Sequence, residues 1–313
     1  MADKIVVIVG PTASGKTALS VALAKALGGE VISADSMQIY RTMDIGTAKV
    51  TREEMDGVPH HMVDVAQPEE SFSAARFVEM ADPILQDILS RGKWAIIAGG
   101  TGLWVDSLIS GRTFAPYPET GKRQALEKEA EEKGMEHMLE KLREVDPKSA
   151  ERLHLKDKKR IIRALEVYAE TGKTITEHNE MTQSIPDKYA PIWLGIQFSD
   201  RQALYDRIDL RVEKMVEAGL LEEIWSLLDR GVPRNATALQ AIGYKEFFPV
   251  LEDGMPLKEA VEKCQMESRR YAKRQLTWFR RNEKIHWLSR EKDTPQEKIF
   301  GEALAHVRCF DMG

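Results

Sequence analysis

The sequence predicts an α/β fold, a parallel sheet flanked by helices, with an all-helical domain inserted into it. Three observations carry this prediction. Short β-branched runs alternate with amphipathic stretches, a glycine-rich turn joins the first run to the first helix, and residues 119–171 contain almost no β-branched runs.

Ile5-Val6-Val7-Ile8-Val9 is apolar throughout, as a strand buried on both faces of a parallel sheet must be. It stops at Gly10. From Lys16, Leu19, Leu23 and Leu27 recur at helical spacing with Val21 and Ala24 beside them, until Gly28-Gly29 closes the helix. Val31-Ile32-Ser33 reads as a second strand, and Trp94–Ala98, after the amphipathic stretch Phe72–Leu89, as a third. After Gly111 the composition shifts to Glu, Lys, Leu and Arg, with breaks at Gly134 and Asp146-Pro147, which reads as a helical insertion. Ile192–Phe198 resumes the strand pattern and leads into one long helix from Asp200 to Leu228, ended by Gly231. A helix from Leu257 to Arg281, a short strand Ile285–Leu288 and a terminal helix complete the chain. Met215, Leu220 and Trp225 are expected in the core. The expected division is a core domain of residues 1–113 and 190–313, with residues 114–189 as the insertion.

A chain of 313 residues, 42% hydrophobic and 30% charged, is a folded protein of about two domains. Its 45 Lys and Arg against 50 Asp and Glu leave a net charge of −5, so any polyanion site must be local. Cys264 and Cys309 are too few and too far apart for a disulfide framework or zinc knuckle, which favours a reducing cytoplasm. The run Ile5–Val9 is far short of a membrane span, and no targeting or membrane-spanning segment is expected.

Gly10-Pro11-Thr12-Ala13-Ser14-Gly15-Lys16-Thr17 fits the P-loop pattern and lies between a buried strand and a helix, the context such a loop needs. The core is therefore expected to be P-loop NTPase-like. Glycines let successive N–H groups converge on phosphate oxygens, the helix N-terminus adds positive potential, Lys16 neutralises charge, and Thr17 can hold a magnesium ion. A hydrolytic ATPase would place an acid at the end of another hydrophobic strand, but Ala95–Ala98 ends in Gly99-Gly100-Thr101-Gly102. The acid follows the second strand instead, at Asp35. There it is placed either to take a proton from a nucleophile facing the phosphate or to serve as a cap or turn residue.

Lys156–Arg163 holds five basic residues and one acid, with Lys156, Lys159, Arg160 and Arg163 at helical spacing on one face. Arg269–Arg281 holds six basic residues, no acid, and Tyr271, Trp278 and Phe279. Such clusters are either solvated faces or grips for an RNA backbone with base stacking; the interleaved aromatics favour the second. Arg207 and Arg211, one helical turn apart, either clamp a diphosphate or pair with Asp206, Asp209 or Glu213. Adjacent His60 and His61 have no third ligand nearby at metal spacing, and one of them is expected to be structural.

These motifs together closely resemble the tRNA dimethylallyltransferases, or tRNA isopentenyltransferases, over nearly the whole chain. The likeness rests on GPTASGKT at 10–17, DSMQIY at 35–40, GTAK at 46–49, PHH at 59–61, GGTGLW at 99–104, RALEVYAETGK at 163–173, QAIGYKE at 240–246 and KRQLTWFR at 273–280. Trp104 departs from the tyrosine more common in that family. The resemblance implies transfer of a dimethylallyl group from dimethylallyl diphosphate to N6 of the adenine just 3′ of the anticodon, in tRNAs reading codons that begin with U. It implies that the P-loop, with Lys16, Thr17 and Mg2+, cradles the diphosphate rather than a nucleoside triphosphate. It further implies that Asp35 deprotonates the amine, that Arg211 touches the diphosphate, and that Thr101 lies near the reacting centre. The implied contacts to the anticodon stem-loop are Asp35, Ser36, Met37, Gln38, Thr101, Arg123, Lys159, Arg160, Ile161, Ile162, Arg163, Gln240, Ala241, Ile242, Gly243, Tyr244, Lys245, Lys273, Arg274, Gln275, Trp278 and Arg280. A monomeric enzyme with no membrane partner is expected. The alternatives are a P-loop kinase phosphorylating a small acceptor, a prenyltransferase acting on free nucleotide, and a non-catalytic RNA-binding module.

Overall fold

A computed structural model describes residues 3–111, 120–183 and 186–311. In chain order the elements begin with β1 (Ile5–Val9), α1 (Lys16–Leu27), β2 (Glu30–Ser33), α2 (Arg52–Met55), β3 (His60–His61), α3 (Ala74–Ser90), β4 (Ala95–Gly99) and α4 (Gly102–Ser110). Four helices follow: α5 (Lys122–Val145), α6 (Pro147–Arg152), α7 (Lys158–Thr171) and α8 (Ile175–Gln183). The remainder is β5 (Ile192–Phe198), α9 (Arg201–Glu217), α10 (Leu220–Asp229), α11 (Phe248–Glu252), α12 (Leu257–Phe279), β6 (His286–Arg290) and α13 (Gln296–Asp311). The chain divides into two compact units, one of Met1–Ile109 with Tyr189–Gly313 and the other of Ser110–Lys188.

The first unit holds one six-stranded parallel sheet in the order β3-β2-β4-β1-β5-β6. β1 is central, with Val7 opposite Ile97 of β4 on one side and Trp193 of β5 on the other. Side chains alternate across the pleat, so Ile5, Val7 and Val9 pack with Phe77, Leu85 and Ile224 on one face. Val6 and Ile8 pack with Leu19, Leu23, Ile299 and Val307 on the other. That is why all five residues of β1 must be apolar: both faces are covered. Phe77, fully buried, stacks on Trp104 with ring centroids 4.4 Å apart. Phe77→Ala should lower unfolding stability by about 3–5 kcal/mol. Denaturant unfolding checks this, and a loss under about 1 kcal/mol would mean the site collapses around the missing ring.

The second unit is helical among its described residues. Leu126, Met138, Leu142, Ile161, Ile162 and Leu165 form its core. Gly134 interrupts α5 with φ 83° and ψ 167°, and Asp146 caps α6, where Pro147 takes the first turn.

Several expectations are corrected. The helix expected from Asp200 to Leu228 is two helices, because Gly219 adopts a left-handed φ of 99° between α9 and α10. Trp225 is 59% exposed rather than part of the core, whereas Met215 and Leu220 are buried. Lys156 precedes α7, whose N-cap is Asp157, so it does not share a helical face with Arg160 and Arg163. β3, α2, α4 and α11 were not expected; β3, α2 and α11 have only two, four and five residues, and α4 lacks a strong apolar periodicity, whereas α8 falls within the expected helical insertion.

Candidate active site

Three neighbouring strands, β2, β4 and β1, bring Asp35, the Gly99-Gly100-Thr101 turn and the Gly10–Thr17 loop to one edge of the sheet, outside the strands' carboxyl ends. The loop turns through positive φ at Gly10 (151°), Ala13 (62°) and Gly15 (94°) before α1 begins at Lys16. Lys16 curls back over it, its Nζ donating to the Gly10 carbonyl at 3.0 Å and the Pro11 carbonyl at 2.7 Å. Burial pushes the Lys16 pKa down to about 8; the Asp35 carboxylate opposes that shift and the Arg211 guanidinium adds to it.

Two cavities meet here. The first, about 210 Å³, is lined by Thr12–Thr17, Ser33, Asp35, His60 and Arg211 among others. The second, about 290 Å³, is lined by Met37, Gln240–Gly243, Lys245, Cys264, Tyr271 and Arg274 among others. Thr12, Asp35, Thr47 and Arg211 line both. Arg211, carried inward by α9, is half-buried, and its buried Nε has no hydrogen-bond partner among the described residues. Burial lowers its pKa, opposed by Asp35. A guanidinium whose buried Nε keeps an open donor, beside the Gly10–Thr17 loop, can offset its desolvation with an anion. Asp35 serves both readings made of it: Oδ1 accepts the Met37 N–H at 2.9 Å as a turn residue, and the carboxylate faces both cavities.

The rest of the expected site is sorted by position. Ser36, Met37 and Gln38 follow Asp35; the Ser36 N–H donates to the Thr101 hydroxyl at 3.1 Å, and Gln38 donates to the Ala48 carbonyl at 3.0 Å. Thr101 lines neither cavity; it stands behind Ser36 and within hydrogen-bonding reach of Tyr271. Tyr244 is fully buried, its hydroxyl donating to Glu223 at 2.6 Å and its ring packed against Gly46, so its side chain cannot meet RNA. Gln275 is likewise withdrawn: its Oε1 accepts the Thr12 N–H at 2.8 Å and its Nε2 donates to the Gly100 carbonyl at 3.0 Å, tying two loops together. A Cβ on Gly100 would lie 2.0 Å from that amide nitrogen, so a side chain there would displace the bridge.

Arg274, with its guanidinium 5.6 Å from the Tyr271 ring, lines the second cavity and also a surface cavity with Lys273, Trp278 and Arg281. Trp278 is tethered by Nε1–H to Asp106 at 2.8 Å. Arg280 is exposed at the end of α12. In the helical unit, Lys159 and Arg160 are exposed, whereas Ile161 and Ile162 are buried in its core, so their side chains are not available to RNA. Arg163 and Arg123 both pair with Glu166, at 2.8 and 3.3 Å. Among the described residues Arg207 does not form the ion pair considered for it: its Nε–H donates to the Ala13 carbonyl at 3.0 Å, and Asp209 pairs with Arg269 instead. His61 pairs with Glu30 at 2.8 Å, and His60 bonds the Val58 carbonyl through Nδ1 at 2.9 Å.

Sequence reasoning placed Tyr271 among the aromatics of a basic stretch but not among the site residues, although it faces Asp35, Thr101 and Gln275, and burial pushes its phenol up to about 12. The signal was present: Tyr271, Arg274, Gln275 and Trp278 fall at i, i+3, i+4 and i+7, one face of α12.

Residues 38–282 match the family model described as IPP transferase. A tRNA dimethylallyltransferase of Acetivibrio thermocellus is 47% identical over 309 residues, covering 98% of each chain. One from Bacillus cereus strain AH187 is 51% identical over 287 residues, covering 91% of this chain and 90% of that protein. The crystal structure of full-length tRNA isopentenylpyrophosphate transferase from Bacillus halodurans superposes with a TM-score of 0.73 at 43% identity, covering 98% of this chain and 96% of that one. A eukaryotic dimethylallyltransferase acting on tRNA gives a TM-score of 0.81 at 31% identity, covering 96% of this chain and 77% of that one.

Proposed function

This chain belongs to the IPP transferase family, and from that premise we propose that it transfers the dimethylallyl group of dimethylallyl diphosphate to N6 of the adenine just 3′ of the anticodon. The acceptors are tRNAs reading codons that begin with U, and diphosphate is released. The observation that carries this reading is the meeting of two cavities at Asp35 and Arg211, one walled by the anion loop and one leading towards basic and aromatic side chains of α12. The kinase alternative finds no support among the relatives described above.

On this reading the α/β unit is a P-loop core whose loop holds the diphosphate, and the helical unit is an insertion that helps grip the anticodon stem-loop. The adenine amine is a weak nucleophile and lies stacked within its loop, so the base must be extruded into the second cavity. Asp35 orients the amine and takes its proton as N6 bonds to the allylic carbon and the carbon–oxygen bond to diphosphate breaks. Lys16, Arg211 and the loop N–H groups hold the leaving group's charge. Among the described residues no cluster of three or more His, Cys, Asp or Glu could hold a metal. The Thr17 hydroxyl, which lines the first cavity, would hold a magnesium ion, which would supply further charge neutralisation there. RNA contacts fall to exposed groups, Lys159, Arg160, Lys245, Lys273, Arg274 and Arg280, with Trp278. The reading includes a monomeric protein of the cytoplasm, which its two free cysteines favour. No described helix is long and apolar enough to cross a membrane.

Inorganic diphosphate should inhibit prenyl transfer competitively with dimethylallyl diphosphate; uncompetitive or absent inhibition would remove the donor from the loop. Arg160→Ala and Arg274→Ala should each weaken tRNA binding and flatten the dependence of log affinity on log salt by about one unit per lost phosphate contact. Filter binding across a salt series checks this, and an unchanged slope would return both side chains to the solvated surface.

A further inference from the structure

We propose that Arg207 and Arg290 are positioning residues of the anion loop, holding its carbonyls outward so that its N–H groups face the ligand. The inference rests on the reading of that loop as the diphosphate cradle. Arg207 donates through Nε to the Ala13 carbonyl at 3.0 Å, and Arg290 through Nη1 to the Ser14 carbonyl at 3.2 Å. In a planar trans peptide the C=O and the following N–H point in opposite directions. Fixing the Ala13 carbonyl from outside therefore turns the Ser14 N–H the other way, and fixing the Ser14 carbonyl does the same for Gly15. Neither N–H finds an acceptor among the described residues, so both remain for an incoming anion.

The loop needs such support. Ala13 has φ 62°, a conformation that residues with a Cβ disfavour, and a bond to its carbonyl from α9 resists its relaxation. Arg290, at the end of β6, is 7% exposed and packed directly beneath the loop: a Cβ on Gly15 would lie 2.7 Å from its Nη1. Its remaining partners are the Gln296 side-chain oxygen at 2.9 Å and the Thr294 carbonyl at 3.3 Å. All are neutral. Among the described residues neither arginine forms an ion pair with a carboxylate, and burial followed by the charge of Arg207 lowers the Arg290 pKa.

The test is calorimetric titration of the full-length protein with inorganic diphosphate in the presence of magnesium. Arg207→Ala, whose side chain is exposed, and Arg290→Gln should each raise the dissociation constant at least about fivefold, leaving tRNA affinity within about twofold of the unmodified protein. The Arg207 variant keeps the test open where the buried Arg290 substitution prevents folding. Because a positioning bond is short-ranged, the ratio of variant to unmodified constants should persist between about 0.05 and 0.5 M salt, whereas an effect of remote charge is screened away. Unchanged diphosphate affinity in the folded Arg207 variant, or a ratio that collapses at high salt, would overturn the proposal while leaving the cradle intact. Failure of the unmodified protein to bind diphosphate would overturn the reading of the loop, and the proposal with it.

Discussion

Asp35→Asn is expected to lower the single-turnover rate of prenyl transfer by at least about 10²-fold, since general-base assistance typically contributes 10²–10⁴. The amide keeps the size of the carboxylate, and its oxygen can still accept the Met37 N–H that shapes the turn. It cannot take the proton that N6 must lose as the new carbon–nitrogen bond forms. Binding of tRNA and of dimethylallyl diphosphate should stay within a few-fold of the unmodified protein, because the carboxylate lines both cavities without filling either. The loss will include the orienting role of Asp35 as well as its basicity, so it is not assigned to proton transfer alone. Rapid-quench kinetics with saturating tRNA checks it. A near-normal rate would show that water or the departing diphosphate takes the proton, and a large loss of tRNA affinity at an intact rate would make Asp35 a binding residue.

Lys16→Ala should reduce kcat/KM for dimethylallyl diphosphate by about 10²–10³-fold, the range found when a preorganised donor to developing negative charge is removed from a water-poor site. Nζ already lies against the Gly10 and Pro11 carbonyls, over the loop, and needs no large movement to meet a leaving oxygen. Its lowered pKa adds a second expectation. Lys16 in the free enzyme loses its proton as pH rises through about 8, so the donor's kcat/KM should be highest below that value and decline above it. Lys16→Arg, which stays protonated, should remove the descending limb even where it lowers the rate. Initial rates at subsaturating donor from about pH 6.5 to 9.5 separate the two. A limb that survives in the arginine variant would assign the titration to another group.

Much of this arrangement was legible from residue order because it depends on local chemistry. The apolar run Ile5–Val9, the glycines Gly10 and Gly15 ahead of Lys16, and Asp35 after a short strand each report a local constraint: burial on two faces, a turn at positive φ, and a polar group at a strand's carboxyl end. What escaped depends on contacts distant in sequence. Gln275 and Tyr244 sit among residues that look like RNA contacts, yet the fold turns both inward, one to bridge Thr12 and Gly100 and the other to meet Glu223. Glu223 in turn accepts the N–H groups of Asp44, Ile45 and Gly46, a pairing no periodicity announces. Arg207 reads as a clamp or an ion-pair partner, whereas only the folded chain shows the Ala13 carbonyl beside it. Trp225 shows the converse error, since apolar character alone did not bury it.

The central claim is that an allylic carbon, and not a phosphoryl group, is transferred, and that its acceptor is one adenine of tRNA. Unmodified tRNA incubated with the protein, magnesium and dimethylallyl diphosphate, then digested and analysed by mass spectrometry, tests this most directly. The account predicts N6-dimethylallyladenosine at the position 3′ of the anticodon, in tRNAs reading codons that begin with U, with one diphosphate released per modified base. Unaltered adenosine throughout, together with transfer of phosphate from ATP to an acceptor alcohol, would contradict it.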